Sequence, residues 1–461
     1  MSKQINKGSL IWDQDLIQKY NYSGPRYTSY PTALEFNEQF NEQDFLTSVT
    51  LYPEKPLSIY VHIPFCHKLC YFCGCNKMVT RQHHKVTKYL EALKQEIINR
   101  APLFKNKIVT QMHWGGGTPT YLNDEEIGWL IDVLKDNFQF ANNIEQSIEI
   151  DPREITPKTI DHLALVGFNR LSMGIQDFNQ EIQTLINREQ DENLIANLVK
   201  QARKRDFASI SLDLIYGLPK QTVESFTDTL NKVIGLSPDR LSVFNYAHLP
   251  TRFAAQRKIK DADLPAAIEK LKILQNSIEQ LTQAGYTFIG MDHFAKPTDE
   301  LAIAQQQGIL HRNFQGYTTH GDADLLGLGV SAISMLGDSY AQNQKDLQIY
   351  QSEVQKKGNA LWKGFTLNQD DKIRRDVIKQ LICHFNLNKA TIENRYQIKF
   401  DDYFAEDLQL LAPLVKDGLV ENKADSLIVS AKGQMLIRNI CMCFDIYMRK
   451  VARQQQFSRV I

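Results

Sequence analysis

The stretch that decides the fold is residues 57–75, LSIYVHIPFCHKLCYFCGC. Its first seven residues, LSIYVHI, are mostly β-branched, aromatic or aliphatic, which predicts a strand. The loop that follows places Cys66, Cys70, Cys73 and Cys75 within ten residues, in a chain that has seven cysteines altogether. A strand that delivers so many thiols to one short loop predicts a site of sulfur chemistry at its carboxyl end.

Strand-like runs alternate with longer stretches of helical periodicity between residues 57 and about 290. The predicted strands are LSIYVHI, KIVTQMHW, QSIEID, RLSMGI, SISLDLIYG, RLSVFNYA and YTFIGMD. Such alternation indicates parallel strands joined by right-handed helical crossovers, and about six in succession favour a (β/α) barrel. We therefore expect an α/β fold built on a partial (β/α)6 TIM-like barrel of parallel strands.

The domain organisation is predicted from where this alternation starts and stops. Residues 1–55 form an N-terminal extension that we expect to cover the active site, and residues 56–362 form the partial barrel. Residues 363–461 read as two helices, a hairpin and a last helix, which predicts a small, mostly helical C-terminal domain. That order also suits a winged-helix nucleic-acid module, but the segment has no basic stripe, so we expect a lid or packing role.

The composition argues against several classes of function. The 461 residues are 43% hydrophobic and 23% charged, as in ordinary globular proteins. Lys+Arg and Asp+Glu balance at 53 each, so the net charge gives no sign of a nucleic-acid or anionic-membrane partner. No apolar run approaches the roughly 18 residues that span a bilayer, and MSKQINKGSL lacks a signal pattern. We expect a cytoplasmic protein.

The spacing C-x3-C-x2-C of Cys66, Cys70 and Cys73 narrows the chemistry of the loop. Structural zinc usually takes two separated Cys or His pairs, and a thioredoxin-like C-x-x-C does not need the first of these cysteines. Clustered thiols in a reducing compartment suit iron and sulfide. Three thiolates on a cubane cluster leave one iron open to another ligand. Zinc and disulfide sites remain as alternatives.

This loop resembles the hallmark of the radical S-adenosylmethionine (SAM) superfamily, which follows the first strand of a partial barrel. The resemblance implies that Cys66, Cys70 and Cys73 hold a 4Fe-4S cluster whose open iron chelates the methionine end of SAM. Reduction then splits the sulfonium and gives a 5′-deoxyadenosyl radical. Cys75 is not needed as an iron ligand in this scheme.

Segments spread from residue 20 to about residue 335 resemble one family of that superfamily, the oxygen-independent coproporphyrinogen III oxidases (dehydrogenases). These segments are YNYSGPRYTSYPTA, VHIPFCHKLCYFCGCN, HWGGGTPTYL, IEIDPRE, RLSMGIQDFN, INREQ, DLIYGLPKQT, FNYAHLP, GMDHFAKPTDEL and HRNFQGYTT. The resemblance implies an oxidoreductase of haem biosynthesis that converts two propionates of coproporphyrinogen III into vinyl groups, giving protoporphyrinogen IX. It also implies a monomer that uses an electron donor and an electron acceptor, neither of which the sequence identifies.

The same resemblance implies two bound SAM molecules and the residues around each. The first, on the cluster, is lined by Tyr60, Phe72, Gly116, Glu149 and Ile333. The second is lined by Gly117, Thr118, Gln176, Arg188, Asp213 and Ala247. These residue types suit the ligand, because glycines open the backbone amides, carboxylates accept from ribose hydroxyls or pair with an ammonium, and arginine offers a planar fork to a carboxylate.

His62 and Cys75 are the candidate catalytic residues. His62 lies two residues after Tyr60 and so faces the same side of the strand, where it could donate a hydrogen bond or transfer a proton. A satisfied structural histidine is the alternative. Cys75 belongs to the resemblance and is expected near the active site, with a plain buried thiol as the alternative.

Four cations are candidates for holding the acidic side arms of the substrate: Arg26, His293, Lys296 and Arg312. Solvated surface cations are the alternative for each of them.

A haem-binding trafficking protein on the same scaffold is the alternative function, since relatives of the family are thought to carry haem. Cys75 and the segment YNYSGPRYTSYPT favour the enzyme, because the trafficking relatives lack both. A zinc-stabilised interaction protein is a third hypothesis.

Overall fold

The computed structural model describes residues 10–449, 457 and 459. The signal-pattern prediction rests on the first residues of the chain, nine of which lie outside this part. The strands are β1 (Leu57–Ile63), β2 (Phe65–Cys66), β3 (Met78–Val79), β4 (Ile108–Gly116), β5 (Gln139–Ile150), β6 (Arg170–Gln176), β7 (Ser209–Tyr216), β8 (Arg240–Asn245), β9 (Thr287–Gly290), β10 (His293–Ala295), β11 (His311–Asn313), β12 (Gly316–Thr318), β13 (Asp324–Leu328), β14 (Ile333–Leu336), β15 (Ser339–Asn343), β16 (Leu361–Thr366), β17 (Asn386–Asn388), β18 (Val420–Asn422) and β19 (Ser426–Val429).

The helices follow in the same chain order. They are α1 (Gln14–Tyr20), α2 (Glu42–Thr50), α3 (His84–Arg100), α4 (Asp124–Asn137), α5 (Pro157–Val166), α6 (Gln180–Leu185), α7 (Glu192–Lys204), α8 (Val223–Leu236), α9 (Ala267–Gln283), α10 (Glu300–Gln307), α11 (Leu347–Lys357), α12 (Gln369–His384), α13 (Lys389–Tyr396), α14 (Phe400–Tyr403), α15 (Ala405–Lys416) and α16 (Ile437–Cys443). Within the described part of the chain, none of them combines the length and hydrophobicity needed to cross a membrane.

The described chain divides into two compact units. The barrel unit comprises residues 36–284 and 322–366, and the terminal unit comprises the described parts of 1–35, 285–321 and 367–461. These units differ from the three consecutive ranges predicted from the sequence. The reason is that residues 10–35 and 285–321 pack with the C-terminal segment, so one compact unit is assembled from three separate stretches of chain.

The sheet of the barrel unit has the strand order β16-β15-β14-β13-β1-β4-β5-β6-β7-β8. The strands β1, β4, β5, β6, β7 and β8 pair in parallel, each with its neighbour. On the other side of β1, β13 also pairs in parallel, and β14, β15 and β16 follow it in antiparallel pairing. This arrangement confirms the predicted α/β fold with a partial (β/α)6 barrel. It also brings the carboxyl ends of six consecutive strands to one edge of the sheet, where the loops after them can share a site.

The β1 strand forms because both of its faces are covered. Leu57, Ile59, Val61 and Ile63 have no exposed surface, and every one of these buried aliphatic side chains contributes about 1.5–3 kcal/mol to folding. The intervening His62 is also buried. Near-continuous burial of this kind is typical of a central parallel strand, so the cysteine loop starts from a rigid support.

In the terminal unit, the predicted seventh strand YTFIGMD forms β9, which pairs antiparallel with β10 and is therefore not one of the parallel strands. The predicted C-terminal helices are α12 and α15, and the predicted hairpin is formed by β18 and β19. The strand β17 adds to β19 on its other side. The mostly helical C-terminal segment is thus confirmed, and its lid role stays a prediction.

Candidate active site

The cysteine loop connects β2 to β3, and these two short strands pair in parallel at its base. Its thiols are all free, and they range from buried Cys66 and Cys70 through half-buried Cys73 to exposed Cys75. The side chain of Asn187 donates a hydrogen bond to the carbonyl of Leu69 (2.7 Å), which ties the loop to the turn after α6. The loop is therefore held in place by neighbouring parts of the barrel unit.

Hydrogen-bond donors surround the two buried thiols. The hydroxyl of Thr118 lies 3.6 Å from the Cys66 sulfur. Arg153 and Arg188 each point a guanidinium nitrogen at the Cys70 sulfur, at 3.3 and 3.4 Å. Donors and positive charge stabilise thiolates and the sulfurs of an iron-sulfur cluster. The chemistry of this donor set therefore fits a cluster with thiolate ligands.

The thiols differ in acidity because their surroundings differ. Burial raises the pKa of Cys66 to about 11, whereas a hydrogen bond from Cys75 and the charge of Lys77 lower the pKa of Cys73 to about 5.

Among the described residues, no three His, Cys, Asp or Glu side chains converge around one point as they would for a single metal ion. A cubane cluster binds each thiolate on a different iron, so its ligands are spread more widely than those of a lone ion.

An ion-pair network supports the Cys70 side of the loop. Asp151 accepts from Arg153 (2.6 Å) and from Arg188 (3.2 Å), and all three side chains are buried. Burial acts to raise the pKa of Asp151, but the two guanidiniums outweigh it and lower the pKa to about 2. Arg188 also donates to the carbonyl of Gly174 from Nε (3.1 Å) and Nη2 (2.5 Å). Both arginines are thereby oriented toward the Cys70 sulfur.

The glycines at the end of β4 leave no room for side chains. A Cβ on Gly116 would lie 2.5 Å from the His62 ring, and the φ of +114° disfavours any other residue. A Cβ on Gly117 would lie 2.7 Å from the carbonyl oxygen of Phe65. Close packing against β1 and the start of the cysteine loop therefore requires glycine here, and we call this part of the HWGGGTPTYL segment the glycine cradle.

Glu149, near the end of β5, lies beside this cradle. One oxygen is 3.3 Å from Nε2 of His113, and the other accepts weakly from the amide of Gly116 at 3.4 Å. Partial burial acts to raise the pKa of Glu149, but the hydrogen bond and charge of His113 outweigh it and the net pKa is lowered. The His113 ring stacks on Tyr60, with ring centroids 5.9 Å apart. Tyr60, Gly116 and Glu149 are thus brought together as predicted for the first SAM.

Residues predicted around the second SAM gather at the ends of β6 and β7. The side-chain amide of Gln176 and the guanidinium of Arg188 both lie over Gly174, where a Cβ would be 2.5 and 3.1 Å from them. Asp213 accepts a hydrogen bond from Ser172 (3.0 Å) on the neighbouring strand. Burial is the main reason that the pKa of Asp213 is raised to about 6. The charge of Arg188 acts to lower this pKa, but Asp213 forms no ion pair among the described residues.

The remaining residues predicted around SAM, Phe72, Ala247 and Ile333, contact other parts of the site through their backbone atoms. The side chain of Gln256 donates to the carbonyls of Phe72 (2.9 Å) and Ala247 (3.2 Å), which links the cysteine loop to the loop after β8. Ile333 packs its backbone against Gly327, the residue that pairs with Tyr60 in the sheet. All the predicted cluster and SAM residues therefore lie in the barrel unit, and their contacts with SAM stay a prediction.

His62 has both ring nitrogens occupied. A carbonyl can only accept, so Nε2 carries a proton and donates to the carbonyl of Asn76 at 3.0 Å. The other nitrogen then accepts from the Tyr60 hydroxyl at 3.1 Å. Burial also lowers the pKa of His62, which favours the neutral ring. This arrangement favours the structural alternative, in which His62 holds the end of the cysteine loop.

Cys75 is exposed, so the alternative of a plain buried thiol is wrong. Its thiol donates to the thiolate of Cys73, and this hydrogen bond is the main reason that the pKa of Cys75 is raised well above its ordinary value. An exposed, protonated thiol next to a predicted cluster ligand is compatible with a role in the reaction. That role stays a prediction.

Sequence reasoning missed four residues that shape the site: His113, Asp151, Arg153 and Gln256. Three of them stand inside quoted motifs, HWGGGTPTYL and IEIDPRE, so the motifs carried a signal that the residue-by-residue assignment did not use. Gln256 stands in a segment without a motif, and only its contacts identify it.

The four cations predicted for the substrate, Arg26, His293, Lys296 and Arg312, all lie in the terminal unit.

The partial barrel and the three-thiol loop define the class of this protein, the radical SAM proteins. The model of the Radical SAM superfamily matches residues 60–233, and the model of the HemN C-terminal domain matches residues 367–436. The chain is 67% identical over 450 residues to the oxygen-independent coproporphyrinogen III oxidase of Escherichia coli strain K12, with 98% of each chain covered. It is 49% identical to the enzyme of that name from Pseudomonas aeruginosa, with 98% of this chain and 99% of that one covered.

A solved structure agrees with these relatives. The coproporphyrinogen III oxidase (HemN) from Escherichia coli, described as a radical SAM enzyme, matches with a TM-score of 0.93 and 64% identity, covering 96% of this chain and 100% of that one. The chain belongs to the oxygen-independent coproporphyrinogen III oxidase family. It is therefore an oxidoreductase and a radical SAM enzyme.

The raised pKa of Asp213 predicts a conflict between stability and function. Because its folded pKa of about 6 is above the ordinary 3.8, the protonated form is favoured on folding, and stability falls as the pH rises toward and through 6. We expect Asp213→Asn to stabilise the ligand-free protein at pH 8 by about 2 kcal/mol, allowing for solvent screening, and to weaken SAM binding. Urea unfolding at pH 4.5 and 8 and anaerobic SAM titration measure both effects.

The matched control for this prediction is Asp445→Asn in the terminal unit. Burial raises the pKa of Asp445 to about 6 as well, but its carboxylate accepts from the hydroxyl of Tyr27 at 2.9 Å. This variant should leave SAM binding unchanged. Equal loss of SAM binding in the two variants, or a destabilised Asp213→Asn protein at pH 8, would contradict the assignment of Asp213 to a ligand site.

Proposed function

We propose that this chain catalyses the oxygen-independent oxidative decarboxylation of two propionate side chains of coproporphyrinogen III to vinyl groups, giving protoporphyrinogen IX in haem biosynthesis. The observation that carries the proposal is the loop of Cys66, Cys70 and Cys73 beside the glycine cradle, with hydrogen-bond donors aimed at the sulfurs of Cys66 and Cys70. The likeness to enzymes of that name over 98% of the chain supports the choice of substrate.

The proposed cofactors are one 4Fe-4S cluster on Cys66, Cys70 and Cys73 and two molecules of SAM. When bound and reduced, the cluster and SAM supply a 5′-deoxyadenosyl radical that abstracts hydrogen. Arg153 and Arg188 would stabilise added negative charge on the Cys70 side through their N–H groups, because hydrogen bonds to cluster sulfurs favour the reduced state.

The residues around the cradle would orient the two SAM molecules. For the first we propose Tyr60, Phe72, Gly116, Glu149 and Ile333, and for the second Gly117, Thr118, Gln176, Arg188, Asp213 and Ala247. Glu149 is ionised because its pKa is lowered, so it can pair with an ammonium or accept from ribose hydroxyls. Gly116 and Gly117 would let the ligand lie close to the backbone, while their amides already donate to Glu149 and to the carbonyl of Ile63.

The remaining work of the protein is to position the substrate and to exclude water and oxygen. Each propionate loses one hydrogen atom from its β-carbon, one further electron and carbon dioxide, and the carbon–carbon double bond forms from what remains. That electron requires an acceptor, and reduction of the cluster requires a donor. We propose that the protein acts on this substrate as a monomer in the cytoplasm, where a reducing environment keeps the loop cysteines available as thiolates.

The test is anaerobic turnover of coproporphyrinogen III with a chemical reductant and SAM, followed by chromatography of the oxidised porphyrin products. We expect divinyl product, carbon dioxide and 5′-deoxyadenosine to appear together, and none of them when SAM or the reductant is omitted. Tight haem binding without any vinyl product would contradict the proposal and support the haem-trafficking alternative.

A further inference from the structure

Gln256 lies at the contact between the cysteine loop and the loop that follows β8. It belongs to a short 3-10 helix, Ala254–Lys258, and is 2% exposed. Its side-chain nitrogen donates to the carbonyls of Phe72 (2.9 Å) and Ala247 (3.2 Å), and its side-chain oxygen accepts from the amide of Leu249. Two acceptors and one donor around the amide fix its orientation. All of these residues belong to the barrel unit.

The rest of this contact is apolar. Phe72 packs against a cluster of buried side chains, of which Tyr246 and Ile259 come from the loop after β8. The ring of Phe253 lies against Gly74, where a Cβ would be 3.0 Å from it. Apolar burial is not directional, so these contacts keep the two loops together without fixing one precisely against the other.

The hydrogen bond from Gln256 to Phe72 supplies that direction. Among the described residues, it is the hydrogen bond that joins the cysteine loop to residues 246–259. Phe72 is proposed for the first SAM and Ala247 for the second, so a single amide holds a carbonyl from each set. Because hydrogen bonds prefer a narrow range of lengths and angles, this amide fixes the spacing between the two carbonyls.

The other hydrogen bonds to this part of the cysteine loop come from a different strand. The amide of Tyr71 donates to the carbonyl of Ile186 (2.9 Å), and the side chain of Asn187 donates to the carbonyl of Leu69. Ile186 and Asn187 directly follow α6, the helix after β6. Loss of the Gln256 amide would therefore leave the cysteine loop attached to the barrel, but would free the loop after β8 to shift against it.

We propose that Gln256 is a positioning residue that sets the cysteine loop against the loop after β8, and so the first SAM against the second. The inference rests on the proposed function and adds to it a residue outside the predicted SAM contacts. Both ends of its amide are occupied by protein groups, so Gln256 acts through the two loops and not by binding a ligand itself.

The test compares Gln256→Met and Gln256→Glu with the wild-type enzyme after cluster reconstitution. Methionine keeps the length of the side chain and removes both donors. A carboxyl buried against two carbonyls takes up a proton, so glutamate keeps one donor. We expect SAM affinity, measured by anaerobic titration and normalised to cluster content, to fall roughly 10-fold in Gln256→Met and less in Gln256→Glu, as for other residues that orient ligand-binding groups.

The second measurement is the amount of 5′-deoxyadenosine formed per vinyl group during turnover. This ratio should rise in the same order, because a radical formed at a misaligned site is lost without product. The ratio does not depend on the amount of active enzyme, so partial unfolding leaves it unchanged. If Gln256→Met does not fold, Gln256→Glu alone decides between a raised and an unchanged ratio.

Gln146→Met is the matched control. Gln146 is also buried in the barrel unit, and its side chain donates to the carbonyl of Gly167 at 2.6 Å. Gly167 lies in the turn before β6, at the opposite end of the parallel strands from the cysteine loop. This variant should keep the SAM affinity and the product ratio of the wild-type enzyme.

Thermal unfolding separates a positioning role from a purely structural one. A lowered Tm of the Gln256 variants with unchanged SAM affinity and product ratio would overturn the inference, as would equal changes in Gln146→Met. Failure of the proposed function is distinguishable, because the wild-type enzyme itself would then form no vinyl product, while SAM titration would still compare the variants.

Discussion

Replacing Cys66, Cys70 or Cys73 with alanine is expected to abolish both the iron-sulfur cluster and the reductive cleavage of SAM. The reason is that a cubane cluster with three protein ligands has none to spare, and the remaining two thiols cannot hold it. In addition, Thr118 would lose its sulfur partner in Cys66→Ala, and Arg153 would lose its sulfur partner in Cys70→Ala. Iron and acid-labile sulfide analysis, visible absorption and 5′-deoxyadenosine formation under anoxia measure the loss.

Cys383→Ala is the matched control, because Cys383 is a buried free thiol of the terminal unit. This variant should keep full cluster content and SAM cleavage. Cys75→Ala should also keep the cluster, since Cys75 is exposed and is not proposed as a ligand. A full cluster in any variant of the first three cysteines would contradict the ligand assignment, as would zinc without sulfide in the wild-type protein.

Gly116→Ala is expected to have the second-largest effect, on stability and SAM binding together. The φ of +114° is strained for alanine, and the new Cβ would lie 2.5 Å from the buried ring of His62. We expect a loss of about 1–3 kcal/mol in the free energy of unfolding from backbone strain alone. Displacement of His62 would also disturb the end of the cysteine loop and lower SAM affinity. Denaturant unfolding and anaerobic calorimetry measure the two losses.

Gly235→Ala is the matched control for the glycine cradle. Gly235 lies within α8, and a Cβ there would meet nothing within 4 Å. The same substitution should therefore stabilise the protein by about 0.5–1 kcal/mol, because alanine favours helix. Normal SAM binding and unchanged stability in Gly116→Ala would show that the cradle does not need its glycine.

The parallel strands could be predicted from the sequence because their periodicity is strong. The ends of the strands were harder to predict. The strand β5 begins at Gln139, seven residues before the predicted QSIEID. The early part was missed because its polar residues do not alternate with apolar ones. That early part is a strand because it pairs with the start of β4, with Ile108 opposite Gln139. Likewise, YTFIGMD has strand propensity, but only its neighbours decide that it pairs antiparallel. Pairing partners are long-range information that local pattern does not contain.

The site shows the same limit. The spacing alone predicts the cysteine trio as cluster ligands, and the resemblance predicts a role for Gly116 and Gly117. The bond from Arg153 to the Cys70 sulfur joins residues 83 positions apart in sequence, so no local pattern reveals it. The hydrogen bond from His62 to the carbonyl of Asn76 could not be predicted either, because the whole cysteine loop separates these two residues in sequence. The sequence thus predicts which side chains the site contains, whereas the structure shows which of their hydrogen-bonding atoms already have partners.

The discontinuous make-up of the terminal unit has a consequence for biosynthesis. Tyr27 donates to Asp445, and Arg438 donates to the carbonyl of Pro25. The N-terminal and C-terminal stretches of the terminal unit therefore supply hydrogen-bond partners for each other. On the ribosome, the segments of the barrel unit have all been synthesised by residue 366, while residues 10–35 still await the last part of the chain. A nascent chain truncated at that point would therefore carry unmatched apolar surface near its beginning, a natural target for chaperones.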